Sequence, residues 1–202
     1  MKIVEMNVTP IAFADPPLLC AMGLHAPYAL RIIVELVTDS GNYGLGEVPG
    51  GATTTAALEA AREVVVGKDP FQLNGIKAAL DERFGDEGAA EHGEEPWDHR
   101  RFMHGYSAIE VACFDIMGKE TGRPVCDLLG GRCRDRVDFA AYLFYKYEGA
   151  GGEFGFEKDP SATGWAAARQ EAALDPAGVV AEAQAMCCLL YTSDAADDNR
   201  LV

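Results

Sequence analysis

The sequence predicts an α+β fold: a three-stranded antiparallel meander, then a helical bundle, then the start of a β/α-type region. Three observations predict it. Two runs alternate apolar and polar side chains across the turn Asp39-Ser40-Gly41-Asn42. A later run places Phe102, Tyr106, Ile109, Cys113 and Ile116 at i, i+4, i+7, i+11 and i+14, one face of a helix. Beyond Arg132 the pattern changes to one β-prone run, a glycine-rich stretch and one amphipathic helix.

Lys2 to Phe13 reads as a strand, with Val4, Met6 and Val8 on one face and Glu5, Asn7 and Thr9 on the other. Ala14 to Pro27 has no period, and its prolines break helix and strand, so it reads as a long lid or binding loop. Tyr28 to Thr38 is the clearest strand, and Tyr43 to Val48 returns as the third. Thr53 to Val66 reads as a helix with threonines at its start and Gly67 after its end. Asp69 and Pro70 suit the start of a second helix, whose stripe is Leu73, Ile76, Leu80 and Phe84. The acidic run Asp86 to Glu95 reads as a solvated loop. The periodic helix follows and is stopped by Gly122 and Pro124.

After Arg132, Val137 to Tyr147 reads as a strand. Asp175-Pro176 then starts a helix running to about Cys187, with Val179, Val180, Ala183 and Met186 on its apolar side. A lone parallel strand has no ladder partner, so this unit either docks on the first domain or begins something longer. Cys188 to Val202 breaks with the preceding pattern. Its first ten residues resemble a translated sequencing-library adapter. The expected organisation is therefore 1–131, 132–187 and a non-native tail 188–202, with the natural protein continuing past Cys187.

The 202 residues carry a net charge of −15. That disfavours nucleic acid, whose phosphates need a basic face. No apolar run is long enough for a membrane span, and the N-terminus lacks the form of a signal peptide, so the expectation is a cytoplasmic protein without nucleic-acid or membrane partners. Six cysteines, none in CxxC spacing, read as reduced thiols rather than a zinc site.

Several motifs point further: Gly23-Leu24-His25-Ala26-Pro27, Gly44 to Gly51 (GLGEVPGG), Ile109 to Gly118 (IEVACFDIMG), Asp127 to Gly131 (DLLGG) and Tyr142-Leu143-Phe144. Over Met1 to about Cys187 the chain resembles the enolase superfamily, of the mandelate racemase/muconate lactonizing enzyme type, and within it the glucarate dehydratase branch. The resemblance implies an enolase-type N-terminal capping domain followed by the first β/α unit of a truncated TIM-like barrel. It implies a hydro-lyase that removes the proton α to a carboxylate of a sugar diacid, glucarate giving a keto-deoxy-glucarate. The α-proton of a carboxylate is weakly acidic, so the enediolate needs Mg²⁺ and cationic neighbours. A complete barrel takes about 250 residues. The family's K-x-K base, metal ligands and His–Asp dyad fall on later barrel strands. No catalytic or metal-ligating residue is therefore expected in this chain, and Mg²⁺ is expected in the full-length parent, itself a homo-oligomer in keeping with the family.

The resemblance carries two substrate contacts onto this sequence, His25 and Tyr142. Their alternatives are a surface loop histidine and a core tyrosine. Cys20, where the family often has an asparagine, and Pro96, where some members have a threonine, are departures in loops near the substrate. Glu47 could be read as a catalytic carboxylate or as a turn or interdomain hydrogen-bonding group. Three functions compete: the sugar-diacid dehydratase, another acid-sugar dehydratase, racemase or cycloisomerase of the superfamily, and a non-catalytic α+β module binding a small acid or a protein.

Overall fold

A computed structural model describes residues 1–20, 23–24, 28–84, 101–137 and 142–195. Its strands are β1 (Ile3–Ala14), β2 (Leu19–Cys20), β3 (Gly23–Leu24), β4 (Tyr28–Thr38) and β5 (Tyr43–Pro49). Its helices are α1 (Ala52–Val65), α2 (Leu73–Phe84), α3 (Arg101–Thr121), α4 (Val125–Leu128), α5 (Gly164–Ala168) and α6 (Pro176–Ala195). These divide into two compact units, Met1–Ile11 with Leu30–Asp135, and Ala12–Ala29 with Arg136–Val202.

The first unit is built on a three-stranded sheet in the order β1-β4-β5. β4 and β5 pair antiparallel from Arg31↔Pro49 to Val37↔Tyr43, joined by the expected turn. Strict alternation on β4 buries Ile32, Val34 and Leu36. Against them pack Leu58, Ala61 and Val65 of α1, Ile76 and Leu80 of α2, and Tyr106, Ile109, Cys113 and Ile116 of α3. From Tyr106 onward, the face read from the 3.6-residue period is therefore the face that is buried.

Two glycines set how closely α3 approaches β5. A Cβ on Gly44 would lie 1.9 Å from the Ala112 carbonyl oxygen, and one on Gly46 would lie 1.9 Å from that of Ala108. Strand and helix backbones thus meet with no side chain between them. α3 also covers the free edge of β5. Asp115 Oδ2 accepts from the Leu45 amide at 3.0 Å, and Lys119 Nζ donates to the Tyr43 carbonyl at 2.7 Å. At the opposite edge Arg62 Nε donates to the Met6 carbonyl at 2.8 Å. Edge groups that could template strand addition are thereby occupied. Gly122 (φ +65°) ends α3, with the Arg123 amide donating back to the Gly118 carbonyl at 3.0 Å.

β1 departs from the simple alternation. Ile3 and Met6, three residues apart, are both buried, and Val4 is exposed. The chain is held there by Ile3, whose amide donates to Lys68 O and whose carbonyl accepts from Gly67 N, so the strand turns its pleat between the two anchors. α1 also starts differently: Gly51 is its N-cap and no threonine side chain caps it.

In the second unit β2 and β3 form a short antiparallel hairpin, Leu19↔Leu24 and Cys20↔Gly23. In the Val137–Tyr147 run the described residues, Val137 and Tyr142 to Tyr147, form no strand. In the described part of that run Lys146 alone makes bridges, antiparallel to Leu18 and to Ala173. A β-prone run needs long neighbours to ladder with, and these two short segments supply one rung each. α6 extends past Cys187 to Ala195, because Cys187 to Ala195 contains no helix breaker. Its inward side includes Val179, Glu182, Ala183 and Met186, whereas Val180 is exposed, one helical step off that stripe.

Candidate functional site

Of the two expected substrate contacts, His25 lies outside the described residues, as does the loop position Pro96. Cys20 ends β2, the first leg of the hairpin that leads in sequence to His25. Tyr142 is described and is 74% exposed. In this chain its side chain is therefore not packed in a core. Its ring stacks on Phe144, centroids 6.0 Å apart and planes 19° from parallel. The exposed phenol carries one donor and one acceptor open to solvent.

The hairpin and the Tyr142 segment belong to one hydrogen-bonded arrangement. The Leu19 amide donates to Tyr145 O at 2.7 Å, and the Tyr147 amide donates to Pro17 O at 3.0 Å. Arg169 Nη2 holds the start of the same loop, donating to Ala14 O at 2.7 Å and lying 3.3 Å from Asp15 Oδ1. The structure thus brings the Cys20 strand and the Tyr142 segment together within the second unit.

Lys146 and Glu182 were not foreseen. Lys146 is 1% exposed and Glu182 6%, with Nζ and Oε1 3.6 Å apart. Nζ also donates to Ala168 O at 2.7 Å. Burial pushes the lysine below its ordinary pKa, against the opposing pull of Glu182. The sequence did hold a signal: Glu182 sits at i+3 from Val179 and i−4 from Met186, inside the apolar stripe of its helix. Lys146 stands alone in the aromatic run Tyr142 to Tyr147.

Other candidates resolve as structure. Glu47 lies on β5 rather than in a turn, and its carboxylate meets Arg31 Nε at 3.0 Å on the exposed sheet face. Cys113 is fully buried, and burial followed by the Glu110 charge pushes its thiol up to about 12, so it stays neutral and packs as a small apolar group. Tyr106 is raised to about 12 in the same way. An open groove of about 730 Å³ lies beside Glu5, Asn7, Arg62 and Glu63. Two carboxylates there oppose a diacid, and Arg62 is already engaged with Met6 O and Glu59. Among the described residues no three His, Cys, Asp or Glu converge. They do not fit a Mg²⁺ ion, and no step through the metal is assigned to them. Among them, too, no helix is long and apolar enough to cross a membrane.

An antiparallel three-stranded sheet covered by helices is the form of an enolase-type N-terminal capping domain. Residues 3–130 match the family described as mandelate racemase / muconate lactonizing enzyme, N-terminal domain, and the chain belongs to that family. The chain is 40% identical over 194 residues to a probable glucarate dehydratase of Streptomyces coelicolor, covering 92% of this chain and 42% of that protein. A D-xylonate dehydratase of Haloferax volcanii is 30% identical over 106 residues, covering 52% of this chain and 24% of that protein. Among solved structures, an enolase from Thermobispora bispora complexed with magnesium and formate is 40% identical, with a TM-score of 0.77, covering 93% of this chain and 43% of that one. An enolase from Pseudomonas fluorescens with bound magnesium, potassium and tartrate is 36% identical, with a TM-score of 0.75, covering 92% of this chain and 42% of that one. The chain thus spans about two fifths of the length of the Streptomyces coelicolor protein and of the two enolases.

Proposed function

We propose that this chain is the N-terminal part of a glucarate dehydratase-like hydro-lyase, supplying the capping domain and specificity contacts for a sugar diacid. One observation carries the reading. The glucarate-type relative matches 92% of the chain, through the hairpin loop and the Tyr142 segment, whereas the xylonate dehydratase matches 52%. A capping domain alone is common to the whole superfamily; a likeness that extends beyond it narrows the branch. Tartrate, itself a hydroxylated diacid, is bound in the Pseudomonas fluorescens enolase, which supports a diacid over a monoacid.

In this reading His25 and Tyr142 grip one carboxylate and its neighbouring hydroxyl, and Cys20 and Pro96 are the lid and loop positions that tune the fit. Residues beyond this chain would hold Mg²⁺, which would supply positive charge next to the substrate carboxylate. The work of this chain is to bind, orient and cover the substrate, and the proton abstraction belongs to residues beyond it. A second reading, a cycloisomerase or another acid-sugar dehydratase of the same superfamily, has support from a D-galactarolactone cycloisomerase of Agrobacterium fabrum, 35% identical over 108 residues.

A chimera tests the proposal: residues 1–187 of this chain replace the matching part of the Streptomyces coelicolor protein. With Mg²⁺ it should dehydrate glucarate in preference to gluconate or xylonate, and Tyr142→Phe should raise KM about tenfold, the worth of one hydrogen bond to a charged group. Preference for a monoacid would overturn the diacid assignment. The 202-residue chain alone should neither turn over glucarate nor bind Mg²⁺ tightly; measurable dehydration by it would defeat the division of labour.

A further inference from the structure

We infer that Lys146 is a positioning residue that fastens the β2–β3 hairpin and the Tyr142 segment into one piece, with Glu182 as its counter-charge. The inference rests on the proposal that these two segments meet the substrate.

The backbone of Lys146 is the middle rung of a three-segment ladder. On one side it bridges Leu18, flanked by the Leu19–Tyr145 and Tyr147–Pro17 bonds. On the other its amide donates to Ala173 O at 3.2 Å and its carbonyl accepts from Ala173 N at 2.9 Å. The side chain runs inward to Ala168 O at the end of α5 and to Glu182 on α6. One residue therefore ties the hairpin loop, the Tyr142 segment, the Ala173 segment and two helices. A methionine would fill the same volume without the cost of burying charge. The ammonium adds directed donors, and they fix which segments meet and in what register. Glu182 Oε2 is buried with no partner among the described groups, so its carboxylate is held there by Lys146 and not by a network of its own. The other charged groups acting on Lys146 are Arg169, which opposes its charge, and Glu171, which favours it.

Amide hydrogen exchange on the 202-residue chain tests this without any ligand. Lys146→Met should lower protection of the Leu19 and Tyr147 amides by about tenfold or more. The Ile3 and Gly67 amides in the first unit, and the Phe156 amide within the second, should keep theirs. Glu182→Gln should give a smaller loss at the same two amides, because the bond to Ala168 O remains. Lys146→Arg should restore part of the protection through its retained charge. Unchanged protection of Leu19 and Tyr147 in Lys146→Met would overturn the inference. So would equal losses at Leu19, Tyr147 and Phe156 in both Lys146→Met and Glu182→Gln, which mark general loosening. A chimera that fails on glucarate leaves this result standing, and a failed exchange result leaves the diacid assignment standing.

Discussion

The two units are held together by opposite means. The first buries a continuous apolar set, from Ile3 and Ile32 to Leu58, Ile76, Ile109 and Ile116. Among the described residues of the second, the buried apolar side chains are those of Pro16, Pro17, Ala29, Ala150 and Ala173, and beside them are buried Lys146, Gln170 and Glu182. Its large apolar side chains stand out: Tyr142, Tyr145 and Val180 are each more than half exposed. Gln170 shows what replaces a core there. Its amide oxygen accepts from the Asp159 amide at 2.9 Å, and its amide nitrogen donates to the Asp159 carbonyl at 3.0 Å, clamping the glycine-rich stretch. Apolar burial tolerates imperfect geometry, because it scales with area; a hydrogen-bonded interior stands or falls with individual groups. The first unit should therefore behave as a folded domain, and the second as an arrangement of specific bonds with apolar surface to spare.

The largest expected effect breaks the first unit. Ile109→Ala, at a fully buried site on α3, should cost about 2–5 kcal/mol, read by chemical denaturation. A cost below ~1 kcal/mol would show that the sheet-and-helix core is not what stabilises this unit. The contrast has a second reading in a hydrophobic dye. Dye fluorescence should persist in the native chain and fall when Tyr142, Tyr145 and Val180 are made polar, leaving the cooperative transition of the first unit in place. No dye binding by the native chain would contradict the exposed surface assigned to the second unit.

Next in size is Gly46→Ala. Its Cβ would meet the Ala108 backbone, which cannot move aside as a side chain tip does, so a loss of about 1–3 kcal/mol is expected. This position also shows what was legible in the sequence. The elements of the first unit were, because alternation on Tyr28–Thr38 and the 3.6-residue period of α3 are local consequences of one buried face. The motifs GLGE and IEVACFDIMG were legible as a family mark. Their physical meaning was not: Gly44 and Gly46 are glycines because α3 lies on them, and Asp115 is there to accept from Leu45. The described part of the Val137–Tyr147 run departs from its strand reading for the converse reason. Propensity describes a chain prepared to be a strand, and a strand needs neighbours that local sequence cannot supply. Of the candidate site, Tyr142 was placed by resemblance alone, and Lys146 went unseen because a lysine in a strand-like run normally faces solvent.

A smaller effect separates the units by pH. Lys146 sits below its ordinary value of 10.5, chiefly through burial. Between its folded pKa and 10.5 the unfolded chain binds more protons than the folded one. Stability of the second unit should thus rise with pH through that window and be lowest beneath it. In Lys146→Met the slope should vanish. Hydrogen-exchange stability read separately at Tyr147 and at Ile3 checks this. An equal slope at both amides, or one that survives the substitution, would place the titration elsewhere.

The smallest effect concerns the residue most easily mistaken for a catalyst. Glu47 stands in the motif that marks the family, and its carboxylate is well exposed. Its partner Arg31 lies diagonally across the β4–β5 pair, where Ile33 is directly opposite Glu47 and Pro49 opposite Arg31. A solvent-facing pair of this kind is worth about 0–1 kcal/mol and is screened by salt. Glu47→Gln should shift the denaturation midpoint of the first unit slightly, with the shift fading at high ionic strength. In the chimera it should leave kcat on glucarate unchanged. A large drop in kcat with unchanged stability would return Glu47 to the site. That result would mean a motif residue serves chemistry as well as the sheet, and the proposed division, packing in the first unit and substrate contact in the second, would no longer hold.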